Sequence, residues 1–506
     1  MWQSLKNWLK HYLPWLQIIW LWLNRGTVFY FLNRSYVLKQ LKDADIRKSR
    51  SGDVFVFVYD QEKPMRLLKS LKLQNYDAWK LVSKAEFEVF KGDTTSVWVC
   101  YAEYDMYVEQ GALSYLAAII AREKGVQSVY SDHLEYKSFA RKFPKVKPAW
   151  SPEYFERIDY IGSSCWIKYD SYKNNDDSIA KTLLNLPASA IGHVALPLVT
   201  VFNDTEIQNH VLKKPLLRQD KSVKTSIIIP TRNGVEYLKP CVESVLETTN
   251  PNITEVIIID NQSDSEETLR FLEDIEENQT VRVIRYNQPF NFSAMNNEAV
   301  NQAKGEMVCL LNNDTKAISS NWLAWMQAYA LKPDVGCVGA KLFYPDGRIQ
   351  HAGVVMGYGG GADHAFKYSK RTDAGYMRRL VTGQNYSAVT AACLLVRKSV
   401  YLEVGGLDES LTVAFNDVDF CLKVKKAGYR NVWVPEAELI HFESPSRGLD
   451  NTPEKAARFA AELAILKARW QAEIDDDPAY SVWLANNRHD FAYSKQRIRL
   501  DDIKLR

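Results

Sequence analysis

Gly305-Glu306-Met307-Val308-Cys309-Leu310-Leu311-Asn312-Asn313-Asp314-Thr315 is the stretch on which the reading of this chain turns. A short apolar run, Met307 to Leu311, stops abruptly at three polar side chains. A continuous apolar run bounded by turn formers fits a strand buried on both faces of a parallel sheet. Open α/β sheets bind ligands just beyond the carboxyl ends of such strands. One carboxylate flanked by two amides can hold a divalent cation and hydrogen-bond a ribose or phosphate. Taken by themselves, these residues read more simply as a strand ending in an Asn/Asp turn.

Upstream the same pattern repeats. Ser226-Ile227-Ile228-Ile229 runs into Pro230-Thr231-Arg232-Asn233-Gly234, and residues 235–248 carry Leu238, Val242, Val245 and Leu246 at helical spacing. A second strand, 255–259, ends in Asp260. A helix over 265–277, a strand over 281–286 and a helix carrying Asn296 and Asn297 lead back to the opening strand. This β-α-β-α-β-α-β series predicts a doubly wound nucleotide-binding half. Asp260, ending its second strand, is placed to accept hydrogen bonds from a base or ribose. Downstream, Asn416-Asp417-Val418-Asp419 and His441, which follows an apolar run, are the remaining chemistry-bearing residues. Trp433, Thr390 and His351 fit either an acceptor pocket or packing.

The chain divides around this half. Residues 51–205 alternate strands (from Val54, Trp79, Ser96 and Ser128) with helices, without a Gly-rich phosphate loop or a paired-carboxylate cluster. Residues 206–224 are polar and basic and read as a linker; 225–447 is the module described above. In the tail, 448–506, Thr452 caps and Pro453 opens a helix with Phe459, Leu463, Leu466 and Trp470 on one face. Residues 1–50 hold five of the fourteen tryptophans, nine Lys/Arg and only two Asp/Glu. The uncharged run His11–Asn24 is too short to span a bilayer, which takes about 20 apolar residues. Tryptophan with lysine suits the headgroup layer, and an amphipathic helix lying on an anionic inner leaflet is expected. A helix packed on its own protein is the alternative.

The balance of charge, +3 over 506 residues, implies no bulk attraction to nucleic acid. The seven cysteines form no CxxC pair and several lie in apolar runs, which points to reduced thiols rather than disulfides or zinc.

The second half resembles glycosyltransferase family two, in its two-module O-antigen and polysaccharide rhamnosyltransferase-like branch. The resemblance rests on Ile228-Ile229-Pro230-Thr231-Arg232-Asn233, Ile259 to Asp264, Pro289 to Ser293 with Asn296-Asn297, and Leu311 to Asp314. It continues through Pro345 to Gly353, Gly405 to Asp408, and Phe415 to Leu422. It covers about 225–450 densely. The first module is similar to a degenerate copy, matching in Tyr130-Ser131-Asp132, Pro148 to Pro152 and Tyr160-Ile161-Gly162, and departing from the pattern at Ala102-Glu103-Tyr104-Asp105.

The resemblance implies an α/β architecture of two GT-A-like, Rossmann-like modules. It also implies an inverting transfer of sugar from a nucleotide donor, assisted by a divalent cation, Mg or Mn. By motif position Asp314 and His441 are the metal ligands and Asp417 is the base, with Asp419 as a local rival. Pro230, Thr231, Arg232, Asp260, Asn297, Asn312 and Asn313 fall on the donor side. Imidazole suits manganese better than magnesium. The implied donor is dTDP-rhamnose or similar, with UDP-hexose as the alternative. The implied acceptor is a cell-surface glycan, lipid-linked, reached from the cytoplasmic face of the plasma membrane in company with other transferases. A non-catalytic scaffold of the same fold is the competing reading; a nucleotidyltransferase is disfavoured because no triphosphate loop is visible.

Overall fold

The computed structural model describes residues 25–43, 52–60, 62, 64–89, 94–102, 105–138, 141–202, 223–443 and 452–506. The chain forms two compact units. Residues Met1–Lys213 with Tyr480–Ala485 and Phe491–Arg506 make the first; Lys214–Ala479 with Asn486–Asp490 make the second.

In the second unit the expected series is present. The strands Val281–Arg285, Thr254–Asp260, Thr225–Thr231 and Met307–Leu311 lie side by side in that order, all parallel. The sheet continues through Cys393–Arg397, antiparallel to its neighbours, then Val335–Phe343, Arg430–His441 and Thr315–Ala317. Every residue of Thr225–Thr231 and of Met307–Leu311 is buried, as a strand covered on both faces requires. Side chains alternate between two layers. Ile227, Ile229, Val256, Ile258, Cys309 and Leu311 share one core with Leu238, Val242, Leu272, Trp322 and Met326 from the helices Val235–Thr248, Glu266–Ile275 and Trp322–Ala330. The alternate residues face the helices Phe292–Gln302, Lys398–Glu403 and Asn416–Lys426. Each fully buried Ile or Leu contributes about 1.5–3 kcal/mol, so the two layers hold the strand ends in fixed register.

The position of the site follows from what happens after Leu311. Asn312, Asn313 and Asp314 cannot continue a strand closed to water, and the chain leaves the sheet there. It re-enters at the far edge as Thr315–Ala317, antiparallel to Arg430–His441, with Thr315 opposite His441. That crossover carries Asp314 from the middle of the sheet to the histidine.

The first unit repeats this plan. Its strands run Trp79–Ser83, Val54–Tyr59, Val97–Tyr101, Cys165–Lys168, Ser128–Ser138, Ile191–Phe202 and Met106–Val108, with Arg141–Lys145 folded back on Ser128–Ser138. Chain order, neighbours and directions are those of the second unit; no counterparts of Val281–Arg285 or of Gln384–Tyr386, which pairs with Arg430–His441, occur among the described residues. The degenerate copy expected from sequence is therefore a copy in topology.

Both termini depart from expectation. Residues 2–22, with their tryptophans, lie outside the described residues. Thr27–Asp43, inside the stretch assigned to a membrane surface, is instead a helix with one face buried in the first unit. Tyr30 packs on the rings of Trp483 and Tyr493, and Asn33 Nδ2 donates to Gln496 O at 2.7 Å. The tail divides: Pro453–Asp475 is a helix of the second unit, whereas 491–506 belongs to the first. Thr452 caps that helix, its hydroxyl accepting from Lys455 N. The buried stripe is Glu462, Leu466, Trp470 and Ile474; Phe459, expected on that face, is 39% exposed. All seven cysteines are free, buried thiols. No helix among the described residues is long and apolar enough to cross a membrane.

Candidate active site

Asp314 and His441 meet at the carboxyl end of the sheet. His441 Nε2 lies 3.2 Å from Asp314 Oδ1, and Asn312 Nδ2 approaches the same nitrogen at 3.2 Å. On the other side of the ring, His441 Nδ1 is 2.7 Å from Gln350 Oε1. The orientation of that amide is dictated by its nitrogen, which donates to His441 O and Glu443 Oε2 at 3.3 and 3.4 Å. Nδ1 therefore donates to Gln350, and Nε2 is the nitrogen that faces Asp314. Gln350, 1% exposed, lies within the matched stretch Pro345 to Gly353 but carried no role there; nothing local marks its amide as the support of a histidine 91 residues away.

These two side chains fit a divalent cation. One carboxylate oxygen and one imidazole nitrogen converge, 3.2 Å apart, the spacing of adjacent ligands on a cation with bonds of roughly 2.1 Å. The histidine has the outer hydrogen bond usual for metal-bound imidazole. Among the described residues no cluster of three or more His, Cys, Asp or Glu side chains surrounds such a point, so the remaining positions would fall to diphosphate oxygens and water. Cys241, whose thiol donates to Asn312 O at 3.5 Å, is no ligand: burial pushes it up to about 12.

Asp417 opens the helix Asn416–Lys426 and is half-buried. Its Oδ2 accepts from Ala391 N at 3.0 Å, and one residue on, Ala392 O accepts from Asn312 N at 3.1 Å. A single peptide turn thus separates the Asp417 carboxylate from the strand end that carries Asp314. Asp419 is different. Residues two apart on a helix point to opposite sides, and Asp419 is fully buried, accepting from Trp470 Nε1 at 2.8 Å and Arg469 Nη1 at 3.1 Å. Its candidacy as the base is withdrawn, because its carboxylate is closed to any substrate.

The loop before Asp417 is held from the C-terminal helix. Glu462, 2% exposed, accepts from Thr412 N (2.9 Å), Thr412 Oγ1 (2.8 Å), Val413 N (3.0 Å) and Ala414 N (2.8 Å). Phe415 follows with a left-handed φ of 61°, its ring against Phe459. A bulky residue adopts that backbone at a cost, and the helix supplies the contacts that hold it. Neither Glu462 nor Arg469 stood out in the sequence, where they read as ordinary helix-surface charges.

On the donor side, Asn313 Nδ2 donates to Thr231 Oγ1 at 2.9 Å, joining the ends of two adjacent strands. Arg232 is exposed at that rim and Pro230 is buried in the strand behind it. Asn233 ties the loop to the next one, accepting from Asp264 N and Ser265 N at 3.0 Å each. Asp260 is 3% exposed, with Oδ2 ion-paired to Arg285 at 2.7 Å and Oδ1 accepting from Ser263 N at 3.2 Å. Any nucleoside contact there would involve Arg285 as well. Asn297 does not reach the site: its amide nitrogen donates to Leu407 O at 2.9 Å and its oxygen accepts from Tyr401 Oη and Leu407 N at 2.7 and 3.0 Å. It braces Phe292–Gln302 against the Gly406 turn and is committed to the framework.

The three acceptor-side candidates resolve as packing. His351 and Trp433 have no exposed surface; Thr390 is buried, its hydroxyl accepting from Ala392 N at 3.3 Å. His351 is kept neutral, its ionisation pushed well down first by burial and then by His364 and His441.

Fold and site together define the class: an α/β module whose candidate residues gather beside the carboxyl ends of a parallel half-sheet. Residues 223–473 match the family described as glycosyltransferase like family 2, and this half of the chain belongs to that family. Among curated proteins the chain is similar to the uncharacterised protein y4gI of Sinorhizobium fredii, 53% identical over 274 residues, 54% of this chain and 30% of that one. It is similar to the O-antigen biosynthesis protein RfbC of Myxococcus xanthus, 30% identical over 362 residues, 62% of this chain and 28% of that one. Over 90 residues it is 36% identical to the N-acetylglucosaminyl-diphospho-decaprenol L-rhamnosyltransferase of Mycobacterium tuberculosis, 17% of this chain and 29% of that one. The chain thus spans less than a third of each of these relatives. Among solved structures, GalNAc-T7 with UDP, GalNAc and Mn2+ aligns at a TM-score of 0.39 and 16% identity, over 50% of this chain and 49% of that one, a likeness too low to argue from.

Proposed function

We propose that the second unit is an inverting, cation-dependent glycosyltransferase. It would move a sugar from a nucleotide donor to a hydroxyl of a cell-surface glycan. The observation that carries the reading is the Asp314–His441 pair beside the turn that Asp417 caps. Asp314 and His441 would hold the cation, with Asn312 alongside. The chemistry a cation supplies there is neutralisation of the leaving diphosphate. Asp417 accepts the proton of the acceptor hydroxyl as its oxygen attacks the anomeric carbon from the face opposite the leaving group. Thr231, Asn313, Arg232 and the Asp260–Arg285 pair form the donor rim.

For the donor we favour dTDP-rhamnose or a similar deoxysugar nucleotide, supported by the names of two relatives, an O-antigen biosynthesis protein and a rhamnosyltransferase. UDP-hexose is the alternative. We also propose a lipid-linked acceptor met at the inner membrane surface, with residues 1–24 as the contact and other transferases as neighbours. The domain divisions at 51, 206 and 225 remain part of this reading, with 25–43 transferred to the first unit's fold and the tail from 448 divided between the two units.

The test is a donor panel: the full chain with dTDP-rhamnose, UDP-glucose and UDP-N-acetylglucosamine, a lipid-linked glycan acceptor and Mn2+, scored by nucleotide release and by mass of the product. Transfer from one donor that stops with EDTA and with Asp417→Asn supports the reading. Transfer that persists under either change sinks it. Loss of liposome binding on deleting residues 1–24 is the separate test of the membrane contact.

A further inference from the structure

The repeated topology locates, in the first unit, the position that Asp314 and His441 hold in the second. Asp314 immediately precedes Thr315–Ala317, and Asp105 immediately precedes Met106–Val108. Thr315 lies opposite His441, and Met106 opposite Val201. The register agrees one residue further on: Phe442 N donates to Asp314 O at 2.9 Å, and Phe202 N donates to Asp105 O at 2.9 Å. Asp105 is therefore the counterpart of Asp314, and Val201 of His441.

The surroundings of the two acids differ in charge. In the second unit the first turn of Val235–Thr248 sets Tyr237 against the Phe442 ring, with centroids 5.6 Å apart. In the first unit the corresponding helix, Met65–Leu71, sets Arg66 over the Phe202 ring at 4.5 Å. From there Arg66 Nη1 reaches Asp105 Oδ2 at 2.9 Å, and Leu67 N donates to Asp105 Oδ1 at 3.4 Å. An aliphatic side chain stands where the imidazole ligand should be, and a guanidinium pairs with the carboxylate. These residues do not fit a divalent cation.

We infer that Arg66 is a built-in replacement for the cation at the Asp105 position, so that the first unit takes no metal there and, of the two equivalent acids, only Asp314 in the second unit serves a cation. The inference deepens the proposed function and rests on its reading of Asp314 and His441. It explains how a copied sheet can keep the acid of the metal site without the metal: a helix-borne arginine, stacked on Phe202, supplies the positive charge beside the carboxylate.

Mn2+ binding to the full chain, followed by electron paramagnetic resonance of the free ion and by thermal unfolding, tests this. Asp105→Asn is expected to leave the number of bound Mn2+ unchanged, whereas Asp314→Asn lowers it. Arg66→Ala with Val201→His is expected to add one Mn2+ per chain, lost again on Asp105→Asn. Val201 is buried, and its replacement can unfold the strand. Arg66→Ala alone is therefore the second arm: the side chain is more than half exposed, and this variant, its Asp105 left without a counter-charge, should unfold at a lower temperature than its Asp105→Asn derivative, with Mn2+ leaving that difference unchanged. Lower Mn2+ uptake on Asp105→Asn in the otherwise unaltered chain overturns the inference, as does a folded Arg66→Ala chain no less stable than its Asp105→Asn derivative. If Asp314→Asn changes nothing while the Arg66 arms behave as expected, the second-unit cation site fails and the first-unit assignment stands.

Discussion

Gln350 Oε1 lies 2.7 Å from His441 Nδ1 and fixes which nitrogen of the imidazole faces Asp314. Outer-shell partners of this kind are typically worth about 10–100-fold in metal affinity. Gln350→Leu should therefore raise the Mn2+ concentration needed for half-maximal turnover by about that factor, with the saturated rate much less affected. An unchanged Mn2+ requirement would mean that the imidazole is oriented by something else.

Asp417 is exposed enough to meet an acceptor and is oriented by Ala391 N. Asp417→Asn keeps the size of the side chain and removes its basicity. Turnover should fall by about 10²–10⁴, while titration with the donor's nucleotide diphosphate shows unaltered binding. Loss of nucleotide binding in step with turnover would assign the residue to the donor instead.

Asp419 and Glu462 separate support from chemistry. Asp419→Asn weakens the bonds from Arg469 and Trp470, each worth about 1.5–3 kcal/mol when the acceptor is charged. It should lower the unfolding temperature of the second unit and leave the folded enzyme close to normal kcat. Glu462→Gln turns an amide toward backbone N–H groups that now donate to a carboxylate. Here kcat should drop with KM for donor little changed, and Glu462→Asp should restore less than the native side chain because it is one carbon shorter. Equal loss of kcat in Asp419→Asn would show that the pair acts on one loop rather than on two functions.

His133 and His193, both buried in the first unit, are held below the ordinary histidine range. Burial is the main cause for each; Lys147 and Lys145 add to it at His133, and Asp132 opposes it at His193. The fold therefore favours the neutral rings, whereas the unfolded chain takes up protons below about 6.5. Their stabilisation is complete above that pH and is lost as pH falls through the folded values, at about 1.4 kcal/mol per pH unit and group. Denaturant titrations of the full chain from pH 7 to pH 5, read on signals from the first unit, should show this slope, and His133→Leu should reduce it by one proton's share. A flat profile would mean that both rings take up protons in the fold as readily as in the unfolded chain.

The order of elements in the second unit was legible because hydrophobic periodicity is a local property. Three apolar runs, each ending in polar residues, made a parallel half-sheet readable, and the family motifs marked Asp314, Asp417 and His441. Asp417 and Asp419 show where that stops. Two residues apart, they looked equivalent in a loop, but they open a helix and so face different ways. Asn297, Trp433 and His351 had the chemistry of a site and turned out to be framework or core, because their surroundings come from elements distant in sequence.

By itself, then, the sequence determined the α/β class, the repeat of one plan in two modules, the family of the second, and the strand end at Asn312-Asn313-Asp314 as the place to look. Tertiary structure alone decided which polar groups are available there. It brought Gln350 to His441 across 91 residues, Glu462 to the Thr412–Ala414 loop across about 50, and Arg66 to Asp105 in the other copy. The physical reason is the difference in range. Burial pattern is written in neighbouring residues, whereas the partner that satisfies a buried or charged group is chosen by which distant surface the fold presses against it.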